Sequence, residues 1–330
     1  VLGSKVGVGL AGCGYWGRNL ARNLHLMGHL RAVCDPSAKA LKEVKGAYPG
    51  VKVTRDFADL LKDPKVKAVA VAAPAVEHYD LARKALLAGK DVFVEKPLAL
   101  RVPQAEELVD LARARKRILM VGHILEYHPA IRKLKELVEA GELGEIHYVY
   151  SNRLNLGKVR QEENILWSFA PHDISVILLL VGAMPEWAST NGQHYLQHDV
   201  ADVTMTCLSF PGKTRAHIFV SWLHPFKEQK LVVVGSRKMA VFDDVIKEGK
   251  LKIFDKGIEW KDGRPVTRQT AESTLFFPET EPLREELAHF AECVRSRKAP
   301  RTDGPSGLRV LRVLDACQRS IAGNGQPVRL

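Results

Sequence analysis

Along the first third of the chain, short apolar runs alternate with stretches in which apolar positions recur every three or four residues. The runs read as strands over Lys5–Ala11, His29–Cys34, Val51–Val53, Ala68–Ala72, Asp91–Val94 and Ile118–Val121. The stretches between them read as helices over Trp16–Met27, Ser37–Ala47, Phe57–Leu61, Glu77–Ala88 and Gln104–Arg115, with Gly89 as a C-cap. Strands that are apolar on both faces and alternate with helices predict an α/β fold: a doubly wound parallel sheet of the Rossmann type with right-handed crossovers.

After Gly122 the pattern changes. Ala130–Ala140 predicts an amphipathic helix stopped at Gly141, and β-like segments follow at Ile146–Leu154, Val200–Phe210, Arg215–Leu223 and Lys230–Val234. Val203, Met205 and Cys207 alternate with Asp202, Thr204 and Thr206, which suits a large, mostly antiparallel open sheet with differently covered faces. Ser168 or Ala170 opens another helix, with Pro171 in its first turn and Gly182 at its end, and Pro282–Arg297 and Ser306–Ile321 are C-terminal helices. The expected organisation is a doubly wound domain over residues 1–122 and an α+β domain over 123–330. Its C-terminal helix is free to pack back on the first domain.

Composition narrows the classes. Of 330 residues, 46% are hydrophobic and 26% charged, the balance of a globular protein. The longest apolar candidate, Ile174–Val181, falls well short of the ~20 residues that span a bilayer, so no membrane role is expected. The net charge of +11 is dispersed. Its densest cluster, Arg113, Arg115, Lys116 and Arg117, reads as a helix C-terminal turn, and no nucleic-acid motif accompanies it. Five cysteines lie far apart with no CxxC pair. They read as small buried hydrophobes in a reducing cytoplasm, with no metal site.

The chemistry begins at Gly12-Cys13-Gly14-Tyr15-Trp16-Gly17, a GxGxxG sequence between a predicted strand and a predicted helix. Gly12 permits the tight turn, Gly14 lets a pyrophosphate approach the backbone, and Gly17 lets the helix pack close to the strand. The pyrophosphate would sit on free N–H groups at the helix N-terminus. Asp35 ends the second strand at about the ~20-residue offset of the ribose-binding acid. Its charge would repel a 2′-phosphate, so NAD is expected over NADP. Further along, Ala73-Pro74 with His78, and Glu95-Lys96-Pro97, lie beyond the carboxyl ends of strands, where open α/β sheets place chemistry. A lysine held there is positioned to orient a sugar hydroxyl or lower its pKa.

Together the GCGYWG loop, Asp35, Ala73-Pro74 with His78, the Glu95-Lys96-Pro97 tripeptide and the two-domain layout resemble the glucose–fructose oxidoreductase/inositol dehydrogenase (Gfo/Idh/MocA) family. The resemblance runs through Gly141-Glu142-Leu143-Gly144 and the Val234-Gly235-Ser236 turn to the C-terminal helices. It implies an NAD(P)-dependent oxidoreductase acting on a ring carbon of a sugar, inositol or nucleotide sugar, assembled as a homodimer or homotetramer. The dinucleotide would contact Gly12, Gly14, Tyr15, Trp16, Gly17, Asp35, Ala73, Pro74, His78, Glu95, Lys96 and Pro97. Lys96 and His172 would be catalytic. His172 matches the family histidine, while Ser168 stands where the family has aspartate and Ala170 where it has glycine. Asp173 is a poor substitute, because adjacent helical residues diverge by ~100°.

The stretch Ser151–Trp167 carries Arg153, Lys158 and Arg160 with several amides. Two readings stand for it: a carboxylate- and diphosphate-binding wall, or a solvated surface crossing. With Ser168–Ser175 it looks like the subgroup of UDP-N-acetylglucosaminuronate 3-dehydrogenases, which implies substrate contacts from Lys96, Arg153, Asn155, Arg160, Asn164, Trp167, Ser168 and His172. Simple-sugar or inositol dehydrogenation is the enzymatic alternative, and a non-catalytic dinucleotide-sensing regulator the alternative of another class. Ser221, Trp222 and His224 read as sheet packing before cleft wall.

Overall fold

The structure, a computed structural model, describes residues 5–278 and 280–330. Its elements are β1 (Val8–Ala11), α1 (Gly17–Leu26), β2 (Leu30–Cys34), α2 (Ala38–Ala47), β3 (Lys52–Thr54), α3 (Phe57–Lys62), β4 (Ala68–Val71), α4 (Ala75–Leu87), β5 (Asp91–Glu95), α5 (Val102–Ala114) and β6 (Leu119–Gly122). After a 3-10 turn at Ile124–Tyr127 come α6 (Pro129–Glu139), β7 (Ile146–Leu156), α7 (Ile165–Val181), β8 (Trp187–Gln193), β9 (Val203–Ser209) and β10 (Arg215–Ser221). The chain continues with β11 (Leu223–Gly235), β12 (Met239–Asp243), β13 (Leu251–Lys261), β14 (Arg264–Leu275), α8 (Pro282–Ser296), α9 (Gly304–Ala322) and β15 (Val328–Arg329). Two compact units form. The first holds the chain up to Tyr127 with Thr280–Leu311, the second the chain from His128 with Arg312–Leu330.

In the first unit, strands in the order β3-β2-β1-β4-β5-β6 pair in parallel. Every position of β1, β4, β5 and β6 is buried, which is why these strands show no polar alternation. Strand order reverses between β1 and β4, the switch point at which open α/β sheets bind ligands. Helix α8 completes this core: Leu283, Leu287 and Phe290 join Leu20, Leu24 and Phe93. The helix is pinned where Arg297, at its C-terminal end, donates to both oxygens of Asp91 at 2.7 and 3.0 Å.

The second unit is built on a sheet ordered β14-β13-β12-β11-β7-β10-β9-β8-β15. Among the described residues β7 and β10 are its one parallel pair. Helix α7 packs on β7, β9 and β10. The covered face of β9 is the reverse of the one its apolar residues suggest: Thr204 and Thr206 are buried, while Met205 and Cys207 are exposed. Polar partners account for this. The Thr190 and Thr206 hydroxyls lie 3.0 Å apart and hydrogen-bond the Cys317 thiol, and the Thr190 N–H donates to Ser320 Oγ at 2.8 Å. Alternation fixes two faces but not which is covered. The expectation that all five cysteines are buried therefore fails at Cys207.

Helix α7 starts earlier than its sequence suggests. Asn164 caps it, accepting from the Trp167 N–H at 3.2 Å, so Pro171 lies inside the helix rather than in its first turn. The helix is apolar on nearly all sides and gives no periodic start signal. Strands β8, β12, β13, β14 and β15 also escaped the sequence reading, and β11 begins at Leu223, ahead of Lys230. Among the described residues no helix is long and apolar enough to cross a membrane, and no cluster of His, Cys, Asp or Glu could hold a metal.

Ser221 and Trp222 are buried sheet packing, and the Trp222 indole donates to Asp202 at 2.5 Å. The same carboxylate accepts from the Tyr195 and Leu196 N–H groups. Trp222→Phe removes one donor from a buried carboxylate and should lower stability by about 2 kcal/mol. A denaturant midpoint unchanged from wild type contradicts that role.

Candidate active site

The loop after β1 carries its glycines for separate steric reasons. A Cβ on Gly12, whose φ is +90°, would lie 2.7 Å from the Ala72 and Ala73 backbone. One on Gly17 would lie 2.2 Å from the Gly12 carbonyl oxygen, whereas Gly14 faces open space with nothing within 4 Å. Among the described residues no side chain caps α1, and its first turn holds no acid. The helix N-terminus therefore presents donors and positive dipole to a space that only glycine leaves clear. This cradle fits a pyrophosphate. Asp35, buried at the end of β2, ties the loop down: Oδ2 accepts from the Cys13 N–H at 2.7 Å and Oδ1 from the Ser37 N–H at 2.8 Å. Each oxygen keeps a second lone pair for a ribose hydroxyl. Tyr15 beside it is exposed.

One strand over, His78 bridges the two neighbouring strand-end loops. Its Nδ1 lies 2.7 Å from the Pro97 carbonyl and its Nε2 2.9 Å from the Ala73 carbonyl. The sequence reading placed His78 against the dinucleotide; the buried ring instead ties Ala73-Pro74 to Glu95-Lys96-Pro97, whose Lys96–Pro97 bond is cis. Lys96 follows β5, two strands from β1, so its Cα stands roughly 10 Å from the glycine loop across the sheet's carboxyl edge.

Behind Lys96 lies a buried ionisable group that the sequence reading missed in part. Glu95 Oε1 accepts from the Trp16 indole at 2.6 Å, and Oε2 fills the space a Cβ on Gly122, its β6 partner, would need. Burial pushes the Glu95 carboxyl up to about 7, opposed by the Trp16 hydrogen bond and then by the Lys96 charge. His123, just past β6, is held down near 3 by burial and by Lys96, so its imidazole is neutral; neither nitrogen has a hydrogen-bond partner among the described residues. Glu286 on α8 is fully buried, and neither carboxylate oxygen has a hydrogen-bond partner among the described residues. Its burial, and then the charges of Glu95 and Glu126, push its carboxyl well above the usual carboxylate range. No local pattern marks these residues; the available signal was a polar residue directly after an apolar strand, as at His123.

In the second unit, Ser168 and His172 stand one turn apart on the same face of α7. Asp173 turns the other way: it binds Arg153 through Nε at 2.9 Å and Nη2 at 3.1 Å and accepts from Ser151 Oγ at 2.6 Å. Arg153, expected to contact substrate, is thus buried in an internal ion pair. Two more expected substrate contacts are also engaged, since the Asn164 amide and Trp167 indole both donate to Gln318 Oε1, at 2.9 and 3.0 Å. Arg160 is exposed and pairs with Glu163 at 3.2 Å. Asn155 keeps a buried Oδ1 with no hydrogen-bond partner among the described residues.

A doubly wound sheet with a glycine cradle at its switch point and a lysine two strands away defines a dinucleotide-dependent oxidoreductase. Residues 6–123 match the GFO_IDH_MocA oxidoreductase family with NAD-binding Rossmann fold, and residues 131–241 match the GFO/IDH/MocA C-terminal domain. These matches span more than half of the chain, which belongs to the Gfo/Idh/MocA oxidoreductase family. It is 27% identical to a UDP-N-acetylglucosamine 3-dehydrogenase of Acidithiobacillus ferrooxidans, over 92% of this chain and 93% of that protein. It is 26% identical to the scyllo-inositol 2-dehydrogenase (NAD(+)) of Bacillus subtilis, over 98% and 95%. A crystal structure of the Acidithiobacillus ferrooxidans enzyme superposes with a TM-score of 0.85 at 25% identity, covering 97% of this chain and 98% of that one.

Removing Asp173 leaves the Arg153 guanidinium charged and buried without its partner. Asp173→Ala should cost about 3–5 kcal/mol of stability in chemical denaturation. A loss under about 1 kcal/mol would mark the pair as water-exposed in solution.

Proposed function

We propose that the protein is an NAD-dependent dehydrogenase that oxidises a ring hydroxyl of a nucleotide sugar of the UDP-N-acetylglucosamine class, at C3. The observation that carries the reading is the placement of Lys96 at the end of β5, on the same sheet edge as the Gly12–Gly17 cradle. A dinucleotide with its pyrophosphate on that cradle would supply the hydride acceptor. The chain's own part is to hold the substrate hydroxyl and move its proton, by Lys96 or by His172. The A. ferrooxidans relative supports the substrate class by its own activity. The uronate form of the sugar loses support from Arg153, whose guanidinium is committed to Asp173, so UDP-N-acetylglucosamine itself is tested beside UDP-N-acetylglucosaminuronate. Inositol is the second reading, favoured by the B. subtilis relative and by a wall that offers few unpaired cations.

NAD is proposed over NADP because Asp35 faces the expected ribose position with its negative charge. Arg55, which donates to the neighbouring Pro36 carbonyl at 3.1 Å, is a cation there that would favour a 2′-phosphate. The exposed sheet face around Met205, and around Tyr150 stacked on His217 at 5.1 Å, suits a homodimer or homotetramer. A cytoplasmic setting accords with five free cysteines.

The test is reduced-nicotinamide absorbance with both UDP-sugars and scyllo-inositol, followed by runs with 2-oxoglutarate in which the readout is 2-hydroxyglutarate, formed when a tightly held reduced cofactor passes its hydride to the keto acid. Turnover of a UDP-sugar with NAD, at least about tenfold better than with NADP, is expected. Lys96→Ala and His172→Ala should each slow it by ~10²–10⁴ with NAD affinity nearly intact. Turnover of inositol alone, or wild-type rates in both variants, contradicts the reading.

A further inference from the structure

The Glu95 carboxylate touches neither expected substrate nor open solvent, yet it is built into the site from several directions. The Trp16 indole, from the glycine loop, donates to Oε1. Gly122 yields the space that Oε2 occupies. Lys96 is its chain neighbour, and His78 fixes the Pro97 carbonyl just beyond. Other titratable groups on the elements packed around it are His123 after β6, Glu126 and Tyr127 in the 3-10 turn, and Glu286 on α8. With the His123 imidazole neutral and the Glu286 carboxyl pushed upward by burial, the Lys96 ammonium is the charge that favours the ionised Glu95. Two hydrogen bonds favour its charged form: the Trp16 indole first, and after it the Lys96 backbone N–H.

We propose that Glu95 is a positioning residue for Lys96, and that the Trp16 indole, by clamping the Glu95 carboxylate, ties the dinucleotide-gripping loop to the lysine that handles the substrate proton. The same loop that holds a pyrophosphate on its backbone amides thus holds, through its one indole N–H, the side chain beside the lysine. The clamp thereby fixes Lys96 relative to a dinucleotide held by the loop, through a contact between residues 79 apart in sequence. The proposal rests on the assignment of Lys96 to proton handling and adds to it the groups that set its place and charge.

The sign of the pH effect follows from the chemistry. The indole hydrogen bond favours the ionised carboxylate, so its loss raises the pH at which Glu95 ionises. Below that pH Glu95 is neutral and its charge no longer attracts the Lys96 ammonium. Activity therefore falls on the acid side, and the fall begins at higher pH without the indole.

The experiment uses the full chain and three variants: Trp16→Phe, which keeps the ring but not the donor; Glu95→Gln, which keeps an accepting oxygen but not the charge; and Lys96→Ala. Carboxyl-carbon NMR of ¹³C-glutamate protein follows Glu95 without substrate. NAD calorimetry and turnover of UDP-N-acetylglucosamine against pH complete the set. We expect one glutamate signal to titrate near neutrality, to be absent in Glu95→Gln and to move to higher pH in Trp16→Phe. In both variants turnover at saturating NAD should fall about tenfold or more. NAD affinity should stay within about threefold of wild type, and the acid limb should move up in Trp16→Phe and vanish in Glu95→Gln. An unmoved Glu95 titration in Trp16→Phe overturns the clamp whatever the substrate proves to be. Weakened NAD binding with unchanged saturated turnover overturns it too, leaving Trp16 a cofactor contact only. Loss of activity in Lys96→Ala with wild-type profiles in the other two overturns this inference and spares the lysine assignment. Wild-type turnover in Lys96→Ala overturns both.

Discussion

Backbone meets backbone where β1 ends: Gly12 lies so close to Ala72 and Ala73 that any side chain would displace the end of β4. That approach is possible because β1 and β4 are adjacent, fully buried strands, and because Gly12 takes a φ of +90° that L side chains rarely adopt. Three further features depend on it. Gly17 can pack over the Gly12 carbonyl, α1 points its uncapped N-terminus at the sheet's switch point, and Trp16 is carried to within 2.6 Å of Glu95. Asp35 locks the same loop from the β2 side through the Cys13 N–H. The cradle is rigid because its partners are backbone atoms of a buried sheet, which reorganise little when a ligand arrives.

Charge is handled differently in the two units. In the first, burial raises Glu95 toward neutrality, burial with the charges of Glu95 and Glu126 raises Glu286, and His123 stays neutral beside the Lys96 cation. Low dielectric makes each of these groups sensitive to its neighbours. In the second, Arg153 and Asp173 pair directly through two hydrogen bonds and so neutralise each other inside the unit. Among the groups the sequence offered for anion recognition, only those not consumed internally remain for a ligand. For that reason a cation-rich sequence wall is a poor guide to substrate charge here.

The Rossmann half was legible because its buried strands are uninterrupted apolar runs and its helices keep one apolar stripe; ends shifted by only a few residues, as at Ala75 for α4. The second half was harder. Strand β14 is largely polar and exposed, β13 is exposed from Ile258 onward, and their best signal, Asp262-Gly263 with φ of 51° and 72°, is a two-residue hairpin turn that the apolar pattern did not reveal. Helix α7 is apolar nearly all round, so its start depended on the Asn164 cap. The site divides the same way. The places of Gly12, Gly14, Gly17, Asp35 and Lys96 are legible because each lies at or just past a strand end. The Trp16–Glu95 bond, the Arg153–Asp173 pair and the convergence of Asn164 and Trp167 on Gln318 join residues 79, 20, 154 and 151 apart, which no local pattern encodes.

All of this turns on whether the open side of Gly14 is where a dinucleotide's pyrophosphate sits. Because a Cβ at Gly14 meets nothing within 4 Å, Gly14→Val fills that space without disturbing the protein's own packing. The decisive measurement is calorimetric titration of NAD into the wild-type chain and Gly14→Val, with the melting temperature of each. The account predicts one saturable site in the wild type and at least about a tenfold weaker one in the variant, at an unchanged melting temperature. Equal NAD affinity in the two, or no binding to either, contradicts it.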